Sequence, residues 1–410
     1  MDRTNPDTTT SPKKVLCTWE LGGQLGHISR LAHITKALAD TGYHCSVALR
    51  DLSRATPFFA DHHCNLYQAP VFLPKIKLQR PIVCLPDTLL LSGYLKTVEL
   101  QGLLLAWQNL IHTLDPDVLI MDYSPTAALA ARHHRCRKIH VGTGYSQPVA
   151  GNPIKDWHPH QPQPEVLQRQ EQMVLETINP VLTAQHQPPL EQLSDLYTAD
   201  HTLITTPPEF DLYADTRDKT HYQCQIGTSG QQANACFKPS GRPKILAYLK
   251  PGHPQFTALL NGLAKSAGNV FVVCPQTSEE QLKPLVGEHF DYSIGPVNLV
   301  EAMEQADLFV GHGNAGSTIE CLMSGTPMIA LPILLEHLLT CQKLDQLELG
   351  IMIQKIDSSQ QVTDAVNNAL ADKDLKQRTQ EYAKKYQHLT TQTLGEKVTR
   401  LCDEWTAKAG

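Results

Sequence analysis

The apolar positions of this chain switch repeatedly between two periods: short continuous runs, and spacings of three and four residues. Lys14-Val15-Leu16-Cys17-Thr18-Trp19 is a run of the first kind and reads as a buried strand. The glycine-rich turn Gly22-Gly23-Gln24-Leu25-Gly26 follows. Apolar residues at Ile28, Leu31, Ile34 and Leu38 then line one face of a helix closed by Gly42. Tyr43 to Leu49 and Asp117 to Met121 read as further strands, followed by an alanine-rich helix (Thr126 to Arg132) and a strand from Lys138 to Val141. Glu165 to Gln187 and Leu190 to Leu196 carry helical spacing, interrupted by Pro180 and by Pro188-Pro189. A second series begins at Lys244-Ile245-Leu246-Ala247-Tyr248-Leu249. It continues with a helix (Phe256 to Ala267), a strand (Asn269 to Cys274), a helix (Glu279 to Leu285) and a strand (Asp307 to Val310). A turn and strand follow at Gly325 to Pro332, and the chain is mostly helical from Val362 on. Alternating strands and helices predict the α/β class, with two doubly wound, Rossmann-like domains whose parallel sheets are covered on both faces.

Length supports two domains, since 410 residues exceed one typical core. Residues 1–13 are polar and Pro/Thr-rich and predict a disordered tail. The first domain is expected over 14–226 and the second over 244–390. Residues 227–243 form an aperiodic linker between them, and a last helical segment covers 391–410. A net charge of -6 argues against a nucleic-acid partner, and the basic run Arg132 to Lys138 reads as a solvated turn. The eleven cysteines are dispersed without a C-x-x-C pair, which predicts reduced thiols and a cytoplasmic location. No segment has the pattern of a signal peptide or reaches the roughly 20 apolar residues that span a bilayer.

The stretch richest in chemistry is Gly311-His312-Gly313-Asn314-Ala315-Gly316-Ser317-Thr318-Ile319-Glu320, between a strand and a helix. Small residues allow close approach to a ligand, and unpaired amides at the helix start suit phosphate. The hydroxyls of Ser317 and Thr318 add donors, and Glu320 offers a carboxylate to sugar hydroxyls. Spacing alone leaves a second reading open, because Ser317-x-x-Glu320 also fits a capping box.

With His312-Gly313, Gly316-Ser317-Thr318, Glu320, Gly325-Thr326-Pro327, Pro332 and Glu336-His337, the chain resembles a GT-B glycosyltransferase of the family 1 type. That type includes plant natural-product and bacterial macrolide enzymes. The resemblance extends to Gly26-His27 and to the strand ending at Asp122. It implies two domains facing across a cleft, an acceptor held by the first and a nucleotide-sugar donor held by the second. It also implies a last helix that crosses back to the first domain. The chain departs from the family pattern at Asn314, where a glycine is usual, and at His337, where a glutamine is usual. In the family, the pair at Glu336-His337 contacts the donor sugar.

His27 follows the first glycine-rich turn, at the carboxyl end of a strand, where ligands of parallel sheets gather. A neutral imidazole there can take a proton from an acceptor hydroxyl; the alternative is a helix cap. Asp122 ends another strand at the same edge and can orient His27, or cap its own turn. Lys250 follows the first strand of the second domain and either balances diphosphate charge or is an exposed turn lysine. His312 either donates to a phosphate or is a loop histidine. Asp115-Pro116-Asp117 has the D-x-D form of a metal site but precedes its strand, at the edge away from ligands, so no metal is expected. Gly22-Gly23-x-x-Gly26 lacks the G-x-G-x-x-G spacing of a dinucleotide site, and no cofactor is expected beyond the donor itself.

These readings predict an inverting, metal-independent hexosyltransferase using a UDP- or TDP-sugar and a small-molecule or lipid acceptor. A sugar-nucleotide epimerase and a non-catalytic binder of nucleotide sugars are the alternatives on the same architecture.

Overall fold

The computed structural model describes residues 13–23, 25–60, 63–78, 80–149, 154–157, 163–224, 233–275, 277–295 and 297–407. Residues 1–12 of the expected tail, 227–232 of the expected linker and most of 150–162 lie outside these residues. The rest of the expected linker is not free-standing: Ala233 bridges to Val297 and Phe237 packs against Phe271 of the second domain.

The chain builds two parallel sheets in succession. The first contains β1 (Lys14–Trp19), β2 (His44–Leu49), β3 (Cys64–Gln68), β4 (Val118–Asp122), β5 (Arg137–Gly142) and β6 (His201–Ile204), in the order β3-β2-β1-β4-β5-β6. The second contains β7 (Lys244–Tyr248), β8 (Asn269–Val273), β9 (Phe290–Ser293), β10 (Leu308–Gly311), β11 (Met328–Ala330) and β12 (Gly350–Met352), in the order β12-β11-β10-β7-β8-β9. Helices cover both faces of each sheet, so the central strands are buried along most of their length and read as continuous apolar runs. In each sheet the winding direction reverses between two central strands. One reversal lies between β1 and β4, where Trp19 is in register with Asp122. The other lies between β7 and β10, where Ala247 is in register with Val310. Loops leaving the carboxyl ends of such strand pairs diverge and leave a crevice for ligand.

Several expected elements change form. Pro180 sits inside one continuous helix, Pro164–Ala184, rather than breaking it. That proline is exposed, while Val174, Ile178, Val181 and Leu182 are buried on the opposite face. Burying four such side chains outweighs the roughly 3 kcal/mol that an interior proline costs. Residues 279–285 form two short 3₁₀ turns around buried Leu282, because Pro284 stops a longer helix. Leu193–Tyr197 is likewise a 3₁₀ turn. The second domain's first helix ends at Ala264, and the helix after β4 spans only Pro125–Ala130.

The last helix, Leu394–Ala407, lies along the first, Leu25–Asp40. Its Leu394, Val398 and Cys402 complete the apolar cluster under β1 and β2. A side chain at Gly395 would press on Ala37 and on the His33 carbonyl, so glycine permits the close crossing. No helix among the described residues is long and apolar enough to cross a membrane.

Candidate active site

The first wall of the crevice grows out of β1. After Trp19 the chain turns at Gly22, whose φ is 81°, and enters the helix Leu25–Asp40. His27 stands in that helix's first turn with its ring stacked on Trp19, centroids 5.4 Å apart. A Cβ at Gly22 would lie 2.6 Å from His27 Nε2, so glycine here makes room for the imidazole. His27 Nδ1 lies 2.9 Å from Asp122 Oδ1. A carboxylate accepts, so Nδ1 carries the proton and Nε2 is left as the acceptor. Arg30 Nη1 donates to the other oxygen, Oδ2, at 2.6 Å. Burial pushes the Asp122 carboxyl up, but the charges of Arg30 and His27 outweigh it and hold it below the usual range. Arg30 escaped the sequence reading, although its place three residues after His27 puts both on one helix face.

Glu20 is a second buried carboxyl beside this wall. Its oxygens accept from the Thr126 amide at 2.8 Å and the Thr126 hydroxyl at 2.5 Å. Burial, only partly offset by these bonds, pushes it up to about 7. The folded protein therefore holds this proton at pH values where the unfolded chain has released it. The resulting stability is complete below the unfolded value near 4.5 and is lost as pH rises through about 7. Against Glu20→Gln, wild-type unfolding free energy should fall by about 3 kcal/mol between pH 4 and 8. Denaturant melts of both proteins across that range give the difference; a constant gap would assign Glu20 an ordinary acidity.

The second wall grows out of β10. Gly313 has φ 77° and backs onto Cys341 and the His337 carbonyl. The helix Ala315–Met323 then starts with Asn314 as N-cap and no side-chain cap. Ser317 lies inside the first turn and donates to the Asn314 carbonyl at 3.3 Å. The capping-box reading of Ser317 and Glu320 therefore fails, and the amides of Ala315, Gly316 and Ser317 head the helix without a capping side chain. Thr318 and Glu320 are buried on the same helix. Glu320 lies near Tyr248, whose phenol burial and this carboxylate push up.

His312 is engaged in holding the backbone. Its Nε2 accepts from the Lys250 amide at 2.9 Å, and its Nδ1 faces the Leu331 carbonyl at 2.9 Å. The neutral ring, pushed down to about 4 by burial, ties β7, β10 and β11 together. Both nitrogens being taken, the expected ring-to-phosphate contact gives way to a role in shaping the loop.

Glu336 and His337 part company. Glu336, half-buried, feels His27, Arg30 and Asp122 of the first domain and Lys250 of its own; burial is the larger effect and pushes its carboxyl up. His337 is buried, and its ring nitrogens have no hydrogen-bond partner among the described residues. Burial, with Lys250 and His312 nearby, pushes it down to about 3. The structure thus brings Glu336 into the crevice and sets His337 behind the loop. Lys250 is pushed down by burial, drawn up by Glu336 and opposed by Arg54 from the first domain. Beside these walls lies a cavity of about 410 Å³, bordered by Tyr145, Thr206 and Phe210, which follow β5 and β6, and by Ala315, Ile319 and Glu336 of the second domain; His27 and Asp122 are not among its lining residues.

Asp115 and Asp117 sit at the opposite edge of the first sheet. Asp115 pairs with Arg135, and Asp117 accepts from the Lys14 amide at 2.9 Å. Among the described residues no group of three or more His, Cys, Asp or Glu is placed to hold a metal ion.

Two doubly wound domains facing across such a crevice define the GT-B glycosyltransferase fold. Residues 260–395 match the glycosyltransferase family 28 C-terminal domain. An NDP-glycosyltransferase, YjiC of Bacillus licheniformis, is 30% identical over 219 residues, covering 51% of this chain and 54% of that protein. YjiC of Bacillus subtilis is 36% identical over 73 residues, covering 17% and 19%. The chain thus aligns with about half, or less, of the length of these relatives. The crystal structure of the glycotransferase of kitacinnamycin superposes with a TM-score of 0.72 at 16% identity, over 96% of this chain and 99% of that one. The Streptomyces glycosyltransferase SsfS6, complexed with thymidine diphosphate, gives 0.65 at 16%, over 96% and 99%.

Proposed function

We propose that the protein is an inverting glycosyltransferase that moves a sugar from a nucleotide diphosphate to an acceptor hydroxyl without a metal ion. The observation that carries this reading is the pairing of His27 Nδ1 with the buried Asp122 carboxylate, which leaves Nε2 free to accept a proton. The acceptor hydroxyl loses its proton to Nε2 as its oxygen attacks the anomeric carbon, and Asp122 stabilises the imidazolium that forms. The bond to the diphosphate breaks on the opposite face, which inverts the anomeric centre. The departing charge falls on the amides of Ala315 to Ser317 and on Lys250, groups that suit a phosphate without a metal. Glu336, at the edge of the cavity, accepts from hydroxyls of the donor sugar in this reading. A thymidine or uridine nucleotide is favoured, since SsfS6, of the same fold, carries thymidine diphosphate.

A thermal-shift panel of UDP, TDP, GDP and their sugars tests the donor half. A cognate nucleotide at about a hundredfold its Kd should stabilise the fold by about 2.7 kcal/mol. No shift with any of them sinks the reading. NMR of the product from an α-linked donor tests the stereochemistry, and a retained α-linkage excludes inversion.

A further inference from the structure

We propose that Arg30 is a positioning residue for the His27–Asp122 pair. It keeps the Asp122 carboxylate ionised and turned so that one oxygen is always presented to the His27 Nδ1 proton. The kinetic consequence rests on the transferase reading above; the geometry does not.

The two oxygens of Asp122 are divided between two residues of one helix. Oδ2 receives Arg30 Nη1 at 2.6 Å, and Oδ1 faces His27 Nδ1 at 2.9 Å. Among the described residues these are the carboxylate's side-chain partners. Asp122 is fully buried and Arg30 is 7% exposed. A buried carboxylate without a cation protonates instead, and a protonated Asp122 could neither hold nor stabilise an imidazolium. Arginine suits the task because it stays charged when buried, and its single Nη1 contact holds Oδ2 while leaving Oδ1 to His27. The other groups facing the pair do not replace it. Tyr123 has its ring 6.3 Å from that of His27 and is uncharged. Glu20 is turned to Thr126. Glu336 adds negative charge from across the crevice, and Lys250 faces Glu336 from the same side. Without Arg30, Asp122 would take up a proton as pH falls, and the acid limb of the rate profile would move to higher pH.

Arg30→Met and Arg30→Lys should be compared with wild type for kcat and KM between about pH 5.5 and 9. For Arg30→Met, kcat should fall about tenfold at the alkaline end and on the order of 10²-fold at the acid end, with donor KM within about twofold. Arg30→Lys should recover most of the loss at high pH. In substrate-free protein with isotope-labelled histidine, the hydrogen-bonded Nδ1 proton of His27 gives a downfield NMR signal. It should persist towards acid pH in wild type and fade at higher pH in Arg30→Met. A folded Arg30→Met protein with the wild-type acid limb and wild-type signal overturns the proposal. Should the methionine variant not fold, Arg30→Gln takes the same two measurements with the same decision. If wild type itself shows no transfer while the NMR pattern holds, the transferase reading fails and the role of Arg30 stands.

Discussion

His27→Ala should lose turnover by a factor on the order of 10²–10⁴ while binding the nucleotide as well as wild type. The ring is placed by three contacts: the stack on Trp19, the bond to Asp122 and the space left by Gly22. Alanine removes the proton acceptor and leaves the second wall, with its helix N-terminus, untouched. The loss should therefore appear in kcat, with donor KM little changed. Steady-state kinetics beside a nucleotide thermal shift separate the two. Full activity would remove His27 from the mechanism. A lost nucleotide shift would mean that the substitution had disturbed the fold.

Gly313→Ala should be the most disruptive single-methyl change at the donor loop. The residue sits at φ 77°, a region that costs a non-glycine residue about 1 kcal/mol or more. Its new Cβ would also run into Cys341 Sγ and lie 3.0 Å from the His337 carbonyl oxygen. Overpacking of that kind adds roughly 1–3 kcal/mol, so the total should be about 2–4 kcal/mol. For a domain of this size that lowers Tm by roughly 4–16 °C. Relief of the clash shifts the start of the helix Ala315–Met323, so nucleotide affinity should fall as well. Gly316→Ala is the contrast. A Cβ there meets nothing within 4 Å and lies inside the helix, so stability should hold or rise slightly. Thermal scans of both variants with and without TDP decide the matter. Equal melting points for the two would show that the loop tolerates a side chain at Gly313.

Much of the fold is legible along the chain because most central strands are buried on both faces, so their apolar runs are unbroken. The edge strand β3 escapes that logic. Its residues Cys64 to Gln68 are half-buried or exposed, and their pattern is that of a loop. The helix Thr97–Leu114 is equally unmarked, since Val98 and Leu105 stay exposed and blur its apolar face. Pro180 misled in the other direction, because local propensity cannot weigh the tertiary burial on the far side of the helix. At the site, His27, Asp122 and the loop His312 to Glu320 could be found because each ends a strand or opens a helix. Arg30 carried one local signal, its place three residues after His27 on the same helix, but its importance comes from burial beside Asp122. Glu20 carried none, since its importance comes from burial beside Thr126.

The sequence by itself determined the local units: strand, tight turn and helix start, repeated along two halves, with polar chemistry at the carboxyl ends of strands. Those features depend on residues within a few positions of one another. Only the tertiary structure decided which ends meet. Strand order set β1 beside β4, so that residues 95 apart in the chain share a proton. It placed the N-cap at Asn314 and so excluded the capping box at Ser317 and Glu320. It sent Glu336 into the crevice and its neighbour His337 behind the loop, because successive residues of a helix point about 100° apart and only one can face the partner domain. Burial then fixed the charges, holding Asp122 ionised beside Arg30 and Glu20 protonated to about pH 7.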